Sequence, residues 1–211
     1  MSGAKKSAGK RRGKQRDFLA GRLLIAMPNM SDPRFEHSVL VVCAHDPDHA
    51  MGVIVNKPLA NVELGDLLDQ LEIDPREGAG GELVYFGGPV QTDRGVVLHT
   101  LDYRTDTTLE VAPGVGLTAT RDILVDIAGR RRERTPPSRF LVAIGYAGWG
   151  PGQLEDEISM NAWAHGDVEE AIVFAADPSK TWRVALERLG VTAAKLSPEW
   201  WSARPDDAPL N

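Results

Sequence analysis

Two apolar runs rich in β-branched side chains, His37 to His45 and Ala50 to Lys57, are separated by about four residues. A parallel pair needs a crossover of about a dozen residues or more, so these two strands must pair antiparallel as a hairpin. That single spacing excludes a strictly parallel, doubly wound sheet. Further short β-rich runs lie at Arg22 to Pro28, Glu82 to Phe86, Gly95 to Leu101, Thr107 to Val111, Arg139 to Gly145 and Glu170 to Ala175. Three helices read between and after them. Asn61 caps a stripe of Leu64, Leu67, Leu68 and Leu71; Arg121 to Ala128 buries Ile123, Leu124 and Ile127; and Asp177-Pro178 opens a helix carrying Trp182, Ala185, Leu186 and Leu189 to its stop at Gly190. The fold class is therefore α/β with antiparallel pairs, α+β in character.

Charge divides the chain unevenly. The first 16 residues carry seven basic side chains and no acid, whereas residues 17–211 hold 17 basic against 30 acidic, a net −13. With no large apolar side chain beyond Met1, residues 1–16 read as a disordered basic tail. Residues 17–196 read as one domain, and residues 197–211 as a Pro-rich acidic tail. An acidic body repels phosphate backbones, so nucleic acid is expected only weakly and through the tail. The longest uncharged stretch, Phe140 to Leu154, has 15 residues with four glycines and a proline, too short and too broken to span a bilayer. One cysteine points to a reducing compartment, and the expected location is cytoplasmic, with no membrane partner. The sequence carries no signal of oligomeric state.

The densest motif is GYAGWGPGQLEDEI, Gly145 to Ile158, an apolar strand feeding a glycine-rich loop and a helix start. Such a junction can cradle an anion on backbone N–H groups. It lacks the Lys-Ser/Thr of a Walker loop and the GxGxxG order of a dinucleotide fold, and Glu155, Asp156 and Glu157 occupy the first helical turn. A tight corner plugged by Trp149 is the competing reading. In the hairpin, strand alternation places Cys43 and His45 on one face, where an inert buried thiol is favoured over a nucleophile. The tip His45-Asp-Pro-Asp-His49 reads as a solvated turn rather than a metal site, and no metal or cofactor is expected. Polar groups follow apolar runs at Asn56-Lys57-Pro58, Gly87-Gly88-Pro89, His99-Thr100 and Thr120-Arg121-Asp122. No HExxH, GxSxG or helix-turn-helix pattern is readable, so no residue is nominated as catalytic.

Several runs taken together resemble the AlgH/YqgE family: FLAGRLLIAMPNMSDPRFEHSVLVVCAHD, MGVIVNKPL, VYFGGPV, DRGVVLHT, TATRDIL and GYAGWGPGQLEDEISMNAW, spanning Phe18 to Leu189. The resemblance implies a mixed, strongly curled sheet with packed helices. It also implies the family's label of transcriptional regulator, attached through alginate gene expression and without an assigned chemistry. The candidate ligand set is His45, Asn56, Lys57, His99, Arg121, Trp149, Gly150, Gly152, Gln153 and Glu155. Its expectation is convergence on one concavity beside the glycine loop, with Trp149 as a wall, Gln153 offering an amide, and Lys57, His45 and Arg121 supplying positive charge to an anionic group. Three classes stay open: a regulator binding a small molecule or a protein partner, a small-molecule enzyme using a pocket of His45, Lys57, Arg121 and the Gly145–Gly152 loop, and a sequence-blind nucleic-acid binder. Deleting residues 1–16 is expected to leave the melting temperature within about 2 °C while abolishing any salt-sensitive nucleic-acid binding, measured by thermal denaturation and filter binding.

Overall fold

The computed structural model describes residues 18–75, 80–129 and 135–191. The expected tails lie outside these residues, as does most of the loop after Gly129. β1 (Arg22–Ala26), β2 (Val39–His45) and β3 (Ala50–Ile54) form an antiparallel meander whose second half is the expected hairpin, with Val41 opposite Val53. β4 (Pro58–Glu63) leads into α1 (Leu64–Gln70) and pairs with β5 (Leu83–Phe86). The long β6 (Val90–Thr100) precedes β7 (Leu109–Ala112), β8 (Val115–Thr118) and α2 (Arg121–Ile127). β9 (Phe140–Trp149), α3 (Gln153–Ser159), β10 (Trp163–Asp167), α4 (Glu170–Val173) and α5 (Pro178–Arg188) follow.

The sheet runs in the order β10-β1-β2-β3-β9-β6-β8-β7, and among the described residues every pairing is antiparallel except β5 with β9. β9 is its hub. One edge pairs with β6, while the other meets β5 at Val142–Ile144 and then β3 at Ala147–Trp149. Changing partner within one strand requires a kink, and Gly145 supplies it at φ 74°. Gly87 joins both sides there, its N–H donating to the Ile144 carbonyl and its own carbonyl accepting from Ile54 N–H. A Cβ on Gly87 or Gly88 would overlap the β9 backbone, and one on Gly145 would overlap the Gly88 carbonyl.

The sheet curls until β7 lies against β2, so one face becomes an interior and the other an exterior. The interior holds Ile25, Val41, Val53, Leu98, Val115 and Leu141, closed by Ile172 and Val173 of α4 and by Trp182 and Leu186 of α5. Outside, α1 and α2 cover one apolar patch through Leu64, Leu68, Ile123 and Ile127. Leu154 of α3 and Phe35 of the β1–β2 loop cover a second, around Leu40, Trp149 and Trp163. This arrangement is the mixed, curled α+β sheet with packed helices expected above.

Several local expectations are corrected. Glu170 to Ala175 is not a strand: α4 takes its place, because at the mouth of the curled sheet the segment finds no strand partner and buries Ile172 and Val173 from a helical turn. Asn61 does not cap α1; it sits in β4 at φ 57°, and Glu63 is the N-cap, its N–H accepted by Asp66 Oδ2 at 2.8 Å. β4, β8 and β10, four to six residues each, are not among the strands expected above. By contrast Asp177 does cap α5, with its carboxylate accepting from Ser179 N–H at 3.1 Å.

Replacing Gly88, at φ 152°, by Ala is expected to cost about 3 kcal/mol or more, because the clash is with backbone that cannot move without breaking the β9 junction. Urea denaturation of the variant measures it.

Candidate functional site

The nominated residues fall into three separate places. The first is the glycine loop and α3. Trp149 is buried at 5% exposure, and its indole N–H donates to Glu157 Oε2 at 2.9 Å. Trp163 N–H reaches the same oxygen at 2.8 Å, and the Gln153 amide donates to Glu157 Oε1 at 2.8 Å. Phe35 stacks on Trp149 and meets Trp163 edge-on, completing an aromatic cage around one carboxylate. The Gly150 N–H is taken by Gln153 Oε1 at 3.1 Å, so this part of the anion cradle is turned inward, and Gly152 at φ 74° serves as the N-cap of α3. Trp149, expected as a pocket wall, and Gln153, expected to offer a ligand an amide, both have protein partners here. Glu157, passed over in the sequence, is the centre of this cluster. Its only signal is the spacing, four residues beyond Gln153 and eight beyond Trp149.

His45 belongs to the same region. Its Nδ1 accepts the Leu19 N–H at 2.9 Å, so the neutral ring carries its proton on Nε2, 3.4 Å from Glu155 Oε1. The side chain is 3% exposed, with Phe18 edge-on against it. His45 and Glu155 therefore fasten the entry of β1 to α3. Cys43 and His45 do not share a face. A β-bulge between Val42 and Ala44 shifts the register, sending Cys43 to the interior cluster and pairing His45 with Ala50 of the exterior one. Burial pushes the Cys43 thiol up to about 12, an inert group. At the hairpin tip Asp46 accepts the Asp48 and His49 N–H groups and closes the turn.

The second place is the β3–β4 corner. Asn56 donates to the His37 carbonyl at 2.9 Å and accepts the Val39 N–H at 2.8 Å, holding His37 at φ 54° with its ring 4.2 Å from that of Trp182. The Lys57 amine donates to the Arg34 carbonyl at 3.0 Å, and burial pushes its pKa down. Both residues shape the loop before β2.

The third place joins His99 and Arg121 at a cavity of about 180 Å³ between α1, α2 and the sheet. Leu67, Leu71, Val97, Leu124 and Val142 give it apolar walls; Thr118, Asp93 and Arg121 are its polar groups. One Arg121 nitrogen donates to the Leu71 carbonyl at 2.8 Å. His99 is fully buried behind the wall. Its Nδ1–H donates to the Thr100 carbonyl at 2.9 Å, leaving Nε2 to accept the Thr118 hydroxyl at 3.0 Å, and burial pushes its pKa down so that the ring stays neutral. Thr100 Oγ1 lies 3.1 Å from Ser138 Oγ, which lines a second, larger cavity of about 280 Å³ between β5, β9 and α4. His99 cannot touch a ligand directly; it orients Thr118.

A curled sheet with one parallel pairing at its hub and exterior helices defines the class of fold seen in the solution structure of the AlgH protein from Pseudomonas aeruginosa. That structure is similar to this chain with a TM-score of 0.70 at 37% identity, over 92% of this chain and 96% of that one. The chain belongs to the AlgH-like family, whose model, described as DUF179, AlgH-like, matches residues 23–194. A UPF0301 protein of Caulobacter vibrioides is 48% identical over 182 residues, covering 86% of this chain and 92% of the relative. One from Paracoccus denitrificans is 43% identical over 188 residues, covering 88% and 97%. The crystal structure of a protein from Corynebacterium diphtheriae shares the fold, with a TM-score of 0.63 at 20% identity over 81% of this chain and 86% of that one.

Glu157→Ala leaves two buried indole N–H groups without an acceptor, and a loss of about 2–4 kcal/mol is expected in urea denaturation followed by tryptophan fluorescence. A loss below about 0.5 kcal/mol would mean that water replaces the carboxylate.

Proposed function

We propose that this AlgH-like protein is a small-molecule-binding regulatory protein whose ligand occupies the cavity under Arg121. The observation that carries this reading is the cavity's composition: five large aliphatic side chains lining one space with the Arg121 guanidinium, and a single acid, Asp93, among the lining residues. Arg121 spends one terminal nitrogen on the Leu71 and Glu72 carbonyls, which fixes it, and its Nε and other terminal nitrogen have no partner among the described residues. A small amphipathic acid suits that arrangement, with its apolar body beneath α1 and α2 and its carboxylate at Arg121. An enzyme built on His45, Lys57 and Arg121 is less well supported, since His45 and Lys57 bind the protein itself elsewhere.

The regulator role comes from the family resemblance, and the charge distribution bears on how it would act. With residues 17–211 at net −13, a direct grip on DNA by the folded part is unfavourable. Regulation would pass through the bound ligand or a protein partner, with residues 1–16 adding at most sequence-blind attraction to nucleic acid. Among the described residues no helix is long and apolar enough to cross a membrane, and the lone cysteine suits a reducing cytoplasm.

A thermal-shift screen of small organic acids tests the reading. Compounds that raise the melting temperature should lose affinity about tenfold in Arg121→Gln and lose their effect entirely in Leu124→Trp, which fills the cavity. Hits indifferent to both substitutions would remove the ligand from this site.

A further inference from the structure

The larger cavity, at the mouth of the curled sheet, has a chemistry of its own. Tyr85 of β5 and Phe174 after α4 provide aromatic surfaces, Leu141 and Val173 aliphatic ones, and Ser138, Arg139 and Glu82 its polar side chains. Arg139 is held in place: one terminal nitrogen donates to the Phe174 carbonyl at 2.7 Å, and the guanidinium lies 5.3 Å from the centre of the Phe174 ring. Its other terminal nitrogen is 4.0 Å from Glu170, both groups being more than 40% exposed, so that pairing is weak and leaves the guanidinium available. Glu82 binds the Gly80 N–H through Oε2 at 3.0 Å, and among the described residues its other oxygen has no partner. The half-buried Tyr85 hydroxyl likewise makes no hydrogen bond to the described protein, and burial keeps it protonated, a neutral donor.

A fixed cation, an acid and two hydroxyls therefore line an apolar space, and no ion pair joins Arg139 to Glu82. Glu82 and Arg139 are exposed at the rim of the cavity, so a purely anionic ligand would use Arg139 and leave Glu82 to solvent, and a purely cationic one would do the reverse. One molecule carrying both charges engages both. We propose that this cavity is a second small-molecule site, taking a zwitterion of the free α-amino-acid type. The carboxylate meets Arg139 and the Tyr85 hydroxyl, the ammonium meets Glu82, and an apolar side chain lies against Leu141, Val173 and Phe174. The volume, about 280 Å³, stands at the low end of ligand pockets and suits a molecule of this size better than a larger one.

The test is calorimetric titration of the full chain in an Arg121→Gln background, where the cavity under α1 and α2 no longer competes for carboxylates, with L-phenylalanine and L-leucine, beside phenethylamine, which lacks the carboxylate, and 3-phenylpropionate, which lacks the amine. At least one amino acid should bind, with the single-charge analogues about tenfold or more weaker. Arg139→Gln and Glu82→Gln should each abolish that preference, and Tyr85→Phe should weaken binding by a smaller factor. Circular dichroism checks that each variant is folded, and should one not fold, the other two carry the test. Equal binding of all four compounds, insensitivity to the Arg139 and Glu82 substitutions, or no binding of either amino acid up to about 10 mM would overturn the proposal.

Discussion

Three glycines meeting at one backbone crossing hold the rest of the structure in place. Gly87 and Gly88 lie against β9 where Gly145 kinks it, so closely that no side chain fits at that contact. Because of the kink, β9 pairs with β5 over its first part and with β3 over its last, while β6 follows its opposite edge. The parallel β5–β9 pairing, the only one among the described residues of an otherwise antiparallel sheet, is possible because β5 enters beside β9 at this point. The curl then separates an interior core from two exterior ones, each with its own helices.

The location of the cavities follows from that division. Before the kink β9 contributes Phe140 and Leu141 to the larger cavity and Val142 to the smaller. Beyond the kink β9 supplies Trp149, where the Glu157 cage consumes the polar groups in structural hydrogen bonds. Concavity lies in one half of the sheet and closure in the other. His99, fully buried, satisfies both ring nitrogens, one on the Thr100 carbonyl and one on the Thr118 hydroxyl, and thereby fixes Thr118 in the wall of the smaller cavity.

Fold class was legible because it depended on short-range facts: a connection of about four residues forcing an antiparallel pair, an aspartate and a proline opening α5, a leucine stripe in α1. Features decided by long-range contact were not. The bulge at Cys43 reverses the facing of His45 without any glycine or proline to announce it, and α4 is apolar enough to resemble a strand. The candidate site suffered from the same limit. Arg121 does line a cavity, but Trp149, Gln153, His45, Asn56 and Lys57 bind backbone or carboxylate partners within the protein, which their residue types permit equally well. Tyr85 and Arg139, which share the larger cavity, are 54 residues apart in the sequence and follow no motif.

The central claim is that ligand recognition belongs to the half of the sheet before the β9 kink and not to the glycine loop after it. Amide chemical-shift mapping with a stabilising organic acid tests this most directly. The account predicts perturbations confined to Leu67–Leu71, Gly95–Val97 and Thr118–Leu124, with the Gly148–Gln153 amides unmoved. Shifts centred on Gly148–Gln153 and Glu155 instead would contradict it, and would return the site to the loop that the Glu157 cage closes.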